Sequence, residues 1–100
     1  MSYQQRACDI SNKVKQTVWE RDYHRCIYCG SPYAMPNAHF IRRSHGGLGI
    51  EENVVTLCHK CHHDFDTYKN PLIKDFIENY LRKKYSNWNK EKLIYKGDKK

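Results

Sequence analysis

The sequence predicts a small α+β domain in which helical segments surround a short pair of strands. The chain has 100 residues, the length of one domain, and a core this small usually needs a further constraint. Apolar residues recur at helical spacing near both ends, and two short apolar runs lie between them. Two Cys-x-x-Cys pairs flank these runs and are candidates for that constraint. We expect one domain over residues 1–100, with a core of about 11–68 and a basic helical extension of about 70–100.

The first half of the chain predicts a helix, a cysteine knuckle, a loop and a strand. Ser11 can cap a helix that runs to about residue 22. Residues 26–30 form a tight knuckle that ends in glycine, and the two proline-containing pairs within residues 31–36 predict a loop. Residues 38–41 then predict a short strand.

The second half predicts a sharp turn, the returning strand, a second knuckle and a longer helix. Residues 44–49 contain three glycines and must turn sharply or approach another segment closely. Residues 54–57 are short, apolar and rich in β-branched side chains, as expected of a strand. Asn70 and Pro71 are typical of the start of a helix, which we expect to reach about residue 85. Its predicted apolar face consists of the pairs Leu72/Ile73, Phe76/Ile77 and Tyr80/Leu81.

Composition excludes several classes of protein. No apolar run approaches the roughly 20 residues that a membrane-spanning helix needs, so no membrane partner is expected. The first six residues lack the apolar core of a secretory signal, which predicts a cytoplasmic location. In a reducing compartment, five cysteines indicate metal binding rather than disulfides.

The net charge of +7 is concentrated in the last third of the chain. Residues 69–100 carry ten basic and four acidic side chains, a balance of +6. Such an excess favours a polyanionic partner. The alternative is a lysine-rich face that only keeps the extension solvated.

Cys26-x-x-Cys29 and Cys58-x-x-Cys61 predict a structural zinc site. A spacer of two residues lets both thiolates of a knuckle face one ion, and zinc prefers four soft ligands in a tetrahedron. Cys8 lies outside this pattern. The two knuckles are separated by 28 residues, more than a zinc ribbon usually has, so we expect the functional residues in this interval.

Three motifs in and between the knuckles carry a family resemblance. In chain order they are Cys26-x-x-Cys29, Ala38-His39-Phe40-Ile41-x-Arg43-Ser44-x-Gly46-Gly47 and Glu52-Asn53-x-x-x-Leu57-Cys58-x-x-Cys61-His62. With these motifs the sequence resembles the HNH endonuclease family, most closely its small zinc-stapled members from bacteriophages and bacteria. The resemblance implies a ββα-metal (His-Me finger) core, in which a β-hairpin and a helix surround one divalent cation, and a bacterial or phage-infected cell as the setting.

The same resemblance implies the roles of three residues in phosphodiester hydrolysis, and helical spacing adds a fourth candidate. His39 occupies the place of the general base, and a neutral imidazole with a pKa of about 6.5 can accept a proton from water. Asn53 matches the central asparagine, which orients the base or ligates the metal. His62 matches a metal ligand, and Asp66 lies one helical turn later, where both can hold Mg²⁺ or another divalent cation. The alternative for Asp66 is a solvated acid on the helix surface.

Arginines and lysines supply the expected contacts to DNA. Arg42 and Arg43 precede the glycine-rich turn, where an arginine of the family contacts DNA phosphate, and guanidinium suits that contact. Lys83 and Lys84 are expected to track the phosphate backbone from the basic extension. One departure concerns Ala38, which stands where many members place an Asp or His ligand and which cannot coordinate a metal.

The sequence therefore predicts a divalent-metal-dependent HNH endonuclease that cleaves DNA. One alternative is a zinc-ribbon module that binds DNA without cutting it, with Ala38 as the trace of lost catalysis. A second is an accessory subunit whose helix at 71–85 docks on a larger phage DNA-packaging assembly. The joint presence of His39, Asn53 and His62 favours the nuclease, because binding alone requires none of them. The oligomeric state is left open.

Overall fold

A computed structural model describes residues 3–97 of the chain. It contains four helices and two strands, together with three short 3₁₀ turns. In chain order these are α1 (Tyr3–Cys8), α2 (Asn12–Arg21), β1 (Ala34–His39), β2 (Val54–Cys58), α3 (His59–Asp66) and α4 (Pro71–Lys84). The two strands form one antiparallel sheet, which confirms the α+β class. Within residues 3–97, no helix is both long and apolar enough to cross a membrane.

The predicted helix after Ser11 is confirmed with its boundaries. The Ser11 side chain accepts a hydrogen bond of 3.1 Å from the Val14 amide and thereby caps α2. The helix ends at Arg21, and Asp22 follows it as a buried acid. The Asp22 carboxylate receives the Arg21 guanidinium at 2.7 Å, the Thr56 amide at 2.9 Å and the Tyr80 hydroxyl at 2.6 Å. One carboxylate thus ties α2 to β2 and α4.

The first strand differs from the prediction. β1 begins at Ala34, inside the predicted loop, and ends at His39, two residues before the predicted end. It pairs Ala34 with Cys58 and His39 with Val54, and its register is broken between Met35 and Ala38. The break contains Pro36, which has no amide to donate, so the strand passes this residue as an irregularity instead of stopping there.

The second strand and the second knuckle run directly into a helix. β2 is buried along its whole length, as expected of the apolar run. Cys58 is both the last residue of β2 and the N-cap of α3, because its sulfur accepts a hydrogen bond of 3.4 Å from the Cys61 amide. The second cysteine pair is thereby part of the first turn of α3.

The helix predicted after Asn70 is confirmed, but only half of its predicted apolar face is buried. Ile73, Ile77 and Leu81 are fully buried in the core. Leu72 and Phe76, in contrast, are 68% and 38% exposed. Neighbouring residues on a helix point about 100° apart, and the core is wide enough to cover only one of the two rows.

From the end of α4 to residue 97 the chain is not the helical extension that the sequence predicted over about 70–100, and residues 98–100 lie outside the described residues. A 3₁₀ turn at Lys90–Leu93 is followed by Ile94, which forms a bridge with Gly47 in the glycine-rich turn. The Leu48 amide donates to the Leu93 carbonyl at 2.8 Å. The glycine-rich turn offers unpaired backbone groups, and pairing them satisfies hydrogen bonds that a further helix would leave open.

The N-terminal helix α1, which was not predicted, closes the same turn from the other side. The Gly49 amide donates to the Ala7 carbonyl at 3.0 Å. A side chain at Gly49 would place its Cβ only 2.1 Å from the Asp9 carbonyl oxygen, so this close approach requires glycine. Both ends of the described chain therefore pack on the loop between the two strands.

Candidate active site and metal centre

The four cysteines predicted as metal ligands converge at one end of the sheet. Their sulfur atoms all lie within 4.8 Å of one another, and those of Cys29 and Cys58 are 3.5 Å apart. In a zinc tetrahedron with Zn–S bonds of about 2.3 Å, the sulfurs would be about 3.8 Å apart. The dimensions and the donor chemistry of this cysteine cluster (Cys26, Cys29, Cys58 and Cys61) therefore fit one structural zinc ion.

The thiols of the cysteine cluster ionise unequally. Burial opposes ionisation of Cys26, yet backbone hydrogen bonds from Cys29, Cys58 and Tyr28 lower its pKa to about 7. Burial and the neighbouring Cys58 thiol raise the pKa of Cys61 far above that of an ordinary thiol. A bound cation deprotonates coordinating thiols, so the full set of thiolates forms only with the metal.

A second group of predicted residues lines one open pocket of about 570 Å³. The pocket lies between the end of β1, the start of the glycine-rich turn and the last turn of α3. Its walls contain Asn37, His39, Arg42, Arg43, Ser44, His62, Asp66, Thr67 and Lys69. Of these nine residues, three carry a fixed positive charge and one is a carboxylate. With both histidines neutral, the net charge of the pocket lining is therefore +2.

His39 ends β1 on the face opposite the fully buried Ala38 and points into this pocket. Its Nε2 atom lies 2.8 Å from the Cys8 carbonyl oxygen. A carbonyl only accepts hydrogen bonds, so Nε2 must carry the proton and Nδ1 keeps its lone pair. Burial, with smaller effects of Arg43 and His62, lowers the pKa of His39, which leaves the imidazole neutral at neutral pH.

His62 and Asp66 stand one turn apart on α3 with their Nε2 and Oδ2 atoms 3.8 Å from each other. Burial lowers the pKa of His62 despite the neighbouring Asp66, so the imidazole is available as a neutral ligand. Both residues line the same pocket as His39, as the sequence predicted.

Asn53 is fully buried and does not line the pocket. Its Oδ1 accepts a hydrogen bond of 2.8 Å from the Ile41 amide, and its Nδ2 donates to the carbonyls of Ile41 and Leu48 at 3.2 and 2.8 Å. Its own carbonyl accepts the Phe40 amide at 2.7 Å. The structure thus places Asn53 behind His39, where it holds the backbone that follows this residue.

Arg42 and Arg43 reach the pocket but already have protein partners. Arg43 donates to the Cys8 carbonyl at 2.9 Å and pairs with Asp9 at 2.7 Å. Arg42 donates to the Asp66 main-chain carbonyl, and its guanidinium lies 3.8 Å from the Asp66 carboxylate. Each arginine must share or exchange a partner before it binds a phosphate.

Comparison with protein families supplies the identification. A family model described as HNH endonuclease matches residues 26–65, from the first knuckle to the penultimate residue of α3. Residues 26–65 are an HNH endonuclease domain. The matched segment holds the whole cysteine cluster together with His39, Asn53 and His62, and Asp66 lies one residue beyond it. Neither a curated protein nor a solved structure gives a significant match to the chain.

Lys83 and Lys84 lie far from the pocket that His39, His62 and Asp66 line, hereafter the HNH pocket. They end α4, whose first residue follows the pocket residue Lys69 closely, and a helix of 14 residues is about 21 Å long. The ammonium group of Lys84 stacks over the rings of Tyr23 and Tyr80 at 5.8 and 5.3 Å. About 21 Å of helix therefore separates these lysines from the end of α4 that adjoins the pocket.

Sequence reasoning missed two features of the site, a backbone group that orients His39 and a residue that lines the HNH pocket. One is the Cys8 carbonyl, which no sequence pattern could reveal because every residue carries the same backbone group. The other is Lys69, which the sequence shows only as one of ten basic residues in the last third of the chain. Asp9, which pairs with Arg43, likewise lies outside every motif.

Proposed function

We propose that this chain is a divalent-metal-dependent HNH endonuclease that hydrolyses phosphodiester bonds in DNA. One observation carries the proposal: a neutral histidine with a free Nδ1 faces the same cationic pocket as a His–Asp pair on α3. Binding to DNA needs the cations but not the oriented imidazole. The match of residues 26–65 to the HNH endonuclease model supports the reaction class.

His39 acts as the general base in this proposal. Its Nδ1 takes a proton from water as the water oxygen attacks phosphorus. The bond from phosphorus to the 3′-oxygen breaks, and its electron pair stays on that oxygen, which takes a proton from solvent water. The Cys8 carbonyl fixes the tautomer through Nε2, so the lone pair points where the water must be. Asn53 positions this base by binding the backbone of the two residues that follow it.

His62 and Asp66 would hold the catalytic cation. When bound, a divalent cation stabilises the charge that develops on the phosphate oxygens. Within residues 3–97, the cysteine cluster is the one group with three or more Cys, His, Asp or Glu ligands, so the HNH pocket offers two protein donors. Mg²⁺ keeps several waters and binds substrate phosphates, and two protein donors suit it.

The arginines and lysines would bind the DNA backbone. Arg42 and Arg43 stand at the pocket, where a phosphate can compete with Asp66 and Asp9 for their guanidinium groups. Lys83 and Lys84 would add contacts to distant phosphates, which strengthen binding without reading sequence.

Nicking of supercoiled plasmid by the zinc-loaded protein tests the proposal. The rate at saturating DNA is measured with Mg²⁺, with Mn²⁺ and without an added divalent cation, and we expect cleavage only with one of the cations. His62→Ala should raise the half-maximal cation concentration by roughly tenfold or more. His45→Ala, at an exposed histidine that does not line the pocket, should respond like the native chain. Cleavage that is independent of added cation, or an unchanged cation response of His62→Ala, contradicts the proposal.

The observation that favours a second function is Ala38. This residue is fully buried and brings no ligand to the pocket. A zinc-stapled domain that binds DNA without cutting it would have no use for a third ligand. Tight DNA binding by the native chain, with no nicking at any cation concentration, would select this function.

A further inference from the structure

Among residues 3–97, one of the three cations that line the HNH pocket has no partner within the protein. Arg42 is engaged by Asp66, and Arg43 is engaged by Asp9 and the Cys8 carbonyl. Lys69 lines the same pocket and is exposed. In the part of the chain that the structure describes, its ammonium group has no hydrogen-bond, ion-pair or ring partner.

The backbone holds Lys69 at the rim of the pocket. It lies in the short linker between α3 and α4, and the chain is anchored on both sides of it. The Thr67 amide donates to the His63 carbonyl at 2.8 Å, and the Asn70 amide donates to the Asp64 carbonyl at 3.2 Å. Lys69 itself has a φ of 51°, a left-handed conformation that is costly for a residue with a side chain. Glycine would suit this turn better, yet a lysine occupies it.

We propose that Lys69 is a phosphate-binding residue of this pocket, whose ammonium contacts a backbone phosphate of the DNA that the pocket receives. The inference rests on the proposed function for the nature of the ligand. The Lys69 ammonium does not have to give up a protein partner before it binds a phosphate. Its binding therefore costs less free energy than that of Arg42 or Arg43, each of which must release or share a contact. The ammonium group is a compact point charge, so its contact with a phosphate does not depend on the base sequence of the DNA.

Fluorescence anisotropy on a labelled DNA duplex tests this inference separately from cleavage. All variants carry His39→Ala and are zinc-loaded, with no added divalent cation, so that only binding is observed. Lys69→Gln should weaken binding roughly three- to tenfold at 0.15 M salt and flatten the log–log salt slope by about 0.9, the contribution of one phosphate contact. Lys69→Arg should keep the slope. Lys13→Gln, the matched loss of an exposed lysine on α2, should change neither quantity.

A purely structural role for Lys69 predicts a different pattern. Lys69→Gly suits the left-handed backbone, so its melting temperature should equal or exceed that of the parent, while its DNA binding weakens as in Lys69→Gln. An unchanged salt slope in both Lys69→Gln and Lys69→Gly overturns the inference, even if the native chain cuts DNA. A flattened slope in a protein whose native form never nicks plasmid supports the inference and refutes the nuclease proposal.

Discussion

The cysteine cluster and the HNH pocket are built in opposite ways, although α3 belongs to both. The cluster takes four side chains from two short motifs, and these four alone can satisfy one zinc ion. The HNH pocket is lined by residues from Asn37 to Lys69 and depends on backbone groups, such as the Cys8 carbonyl that binds His39, to orient them. The geometry of a site made of closely spaced side chains is little affected by substitutions elsewhere in the chain. The geometry of a site that is oriented by backbone groups depends on every segment that packs around it.

The comparison predicts that a substitution in the cysteine cluster has the largest effect on the stability of the fold. Cys58→Ser removes one ligand, and in a small domain the free energy of metal binding is free energy of folding. We expect loss of the one tightly held zinc and loss of the cooperative thermal transition. Cys8→Ala removes a buried thiol outside the cluster and should keep the zinc. A zinc-free Cys58→Ser protein with the native melting temperature would show that the cluster does not support the fold.

Asn53→Ala should give the next largest effect on stability. The substitution leaves the Ile41 amide and the carbonyls of Ile41 and Leu48 without partners in the interior. Unsatisfied buried groups cost about 1–3 kcal/mol each, so we expect a loss of roughly 2–4 kcal/mol in the free energy of unfolding, measured in urea. Asn87→Ala, at an exposed asparagine, is the matched control. A loss as small as that of the control would mean that Asn53 does not hold the loop.

Some features of the fold could be predicted from the sequence, and others could not. The cysteine cluster, α2 and α4 with their caps followed from local patterns, since a knuckle or an N-cap is decided by residues close in the chain. The start of β1 did not, because its pairing with Cys58 is a long-range contact that carries the strand past Pro36. The turn of the chain onto the glycine-rich loop after α4 likewise depends on backbone hydrogen bonds that leave no composition signal.

In the candidate site the same division holds. The structure brings together His39, His62 and Asp66. His39 ends β1, and the other two lie on α3, which directly follows the strand that pairs with β1. The role of Asn53 as a backbone clamp, the partners of the two arginines and the presence of Lys69 depend on tertiary contacts. Residue type alone could not reveal them.

The pH dependence of cleavage should show the burial of His39. A base must be neutral to accept a proton, so activity falls as the pH drops through its pKa. Burial lowers that pKa, so the acidic limb of kcat/KM should have its midpoint below the ordinary histidine value of about 6.5. Zinc content measured at each pH controls for loss of the metal. A midpoint at or above 6.5 would contradict a half-buried imidazole that is neutral at neutral pH.

Asp9→Asn should have the smallest effect on the rate of DNA cleavage. It weakens the contact that holds Arg43 next to the Cys8 carbonyl, but the pair is nearly half exposed and worth at most about 1 kcal/mol. We expect kcat/KM to change by no more than about fivefold. Asp75→Asn, at an exposed acid of α4, is the matched control and should leave kcat/KM unchanged. A loss of a hundredfold or more would place Asp9 in the chemistry rather than in support of it.

The central claim is that the cysteine cluster holds the scaffold while His39 performs the chemistry. Single-turnover cleavage by His39→Ala at saturating DNA, with zinc content and melting temperature measured on the same preparation, tests it most directly. We predict a rate lower by about 10²–10⁴-fold, with zinc content and melting temperature close to those of the native chain. A native rate of cleavage in the His39→Ala protein, or a lower rate accompanied by loss of zinc, would contradict it.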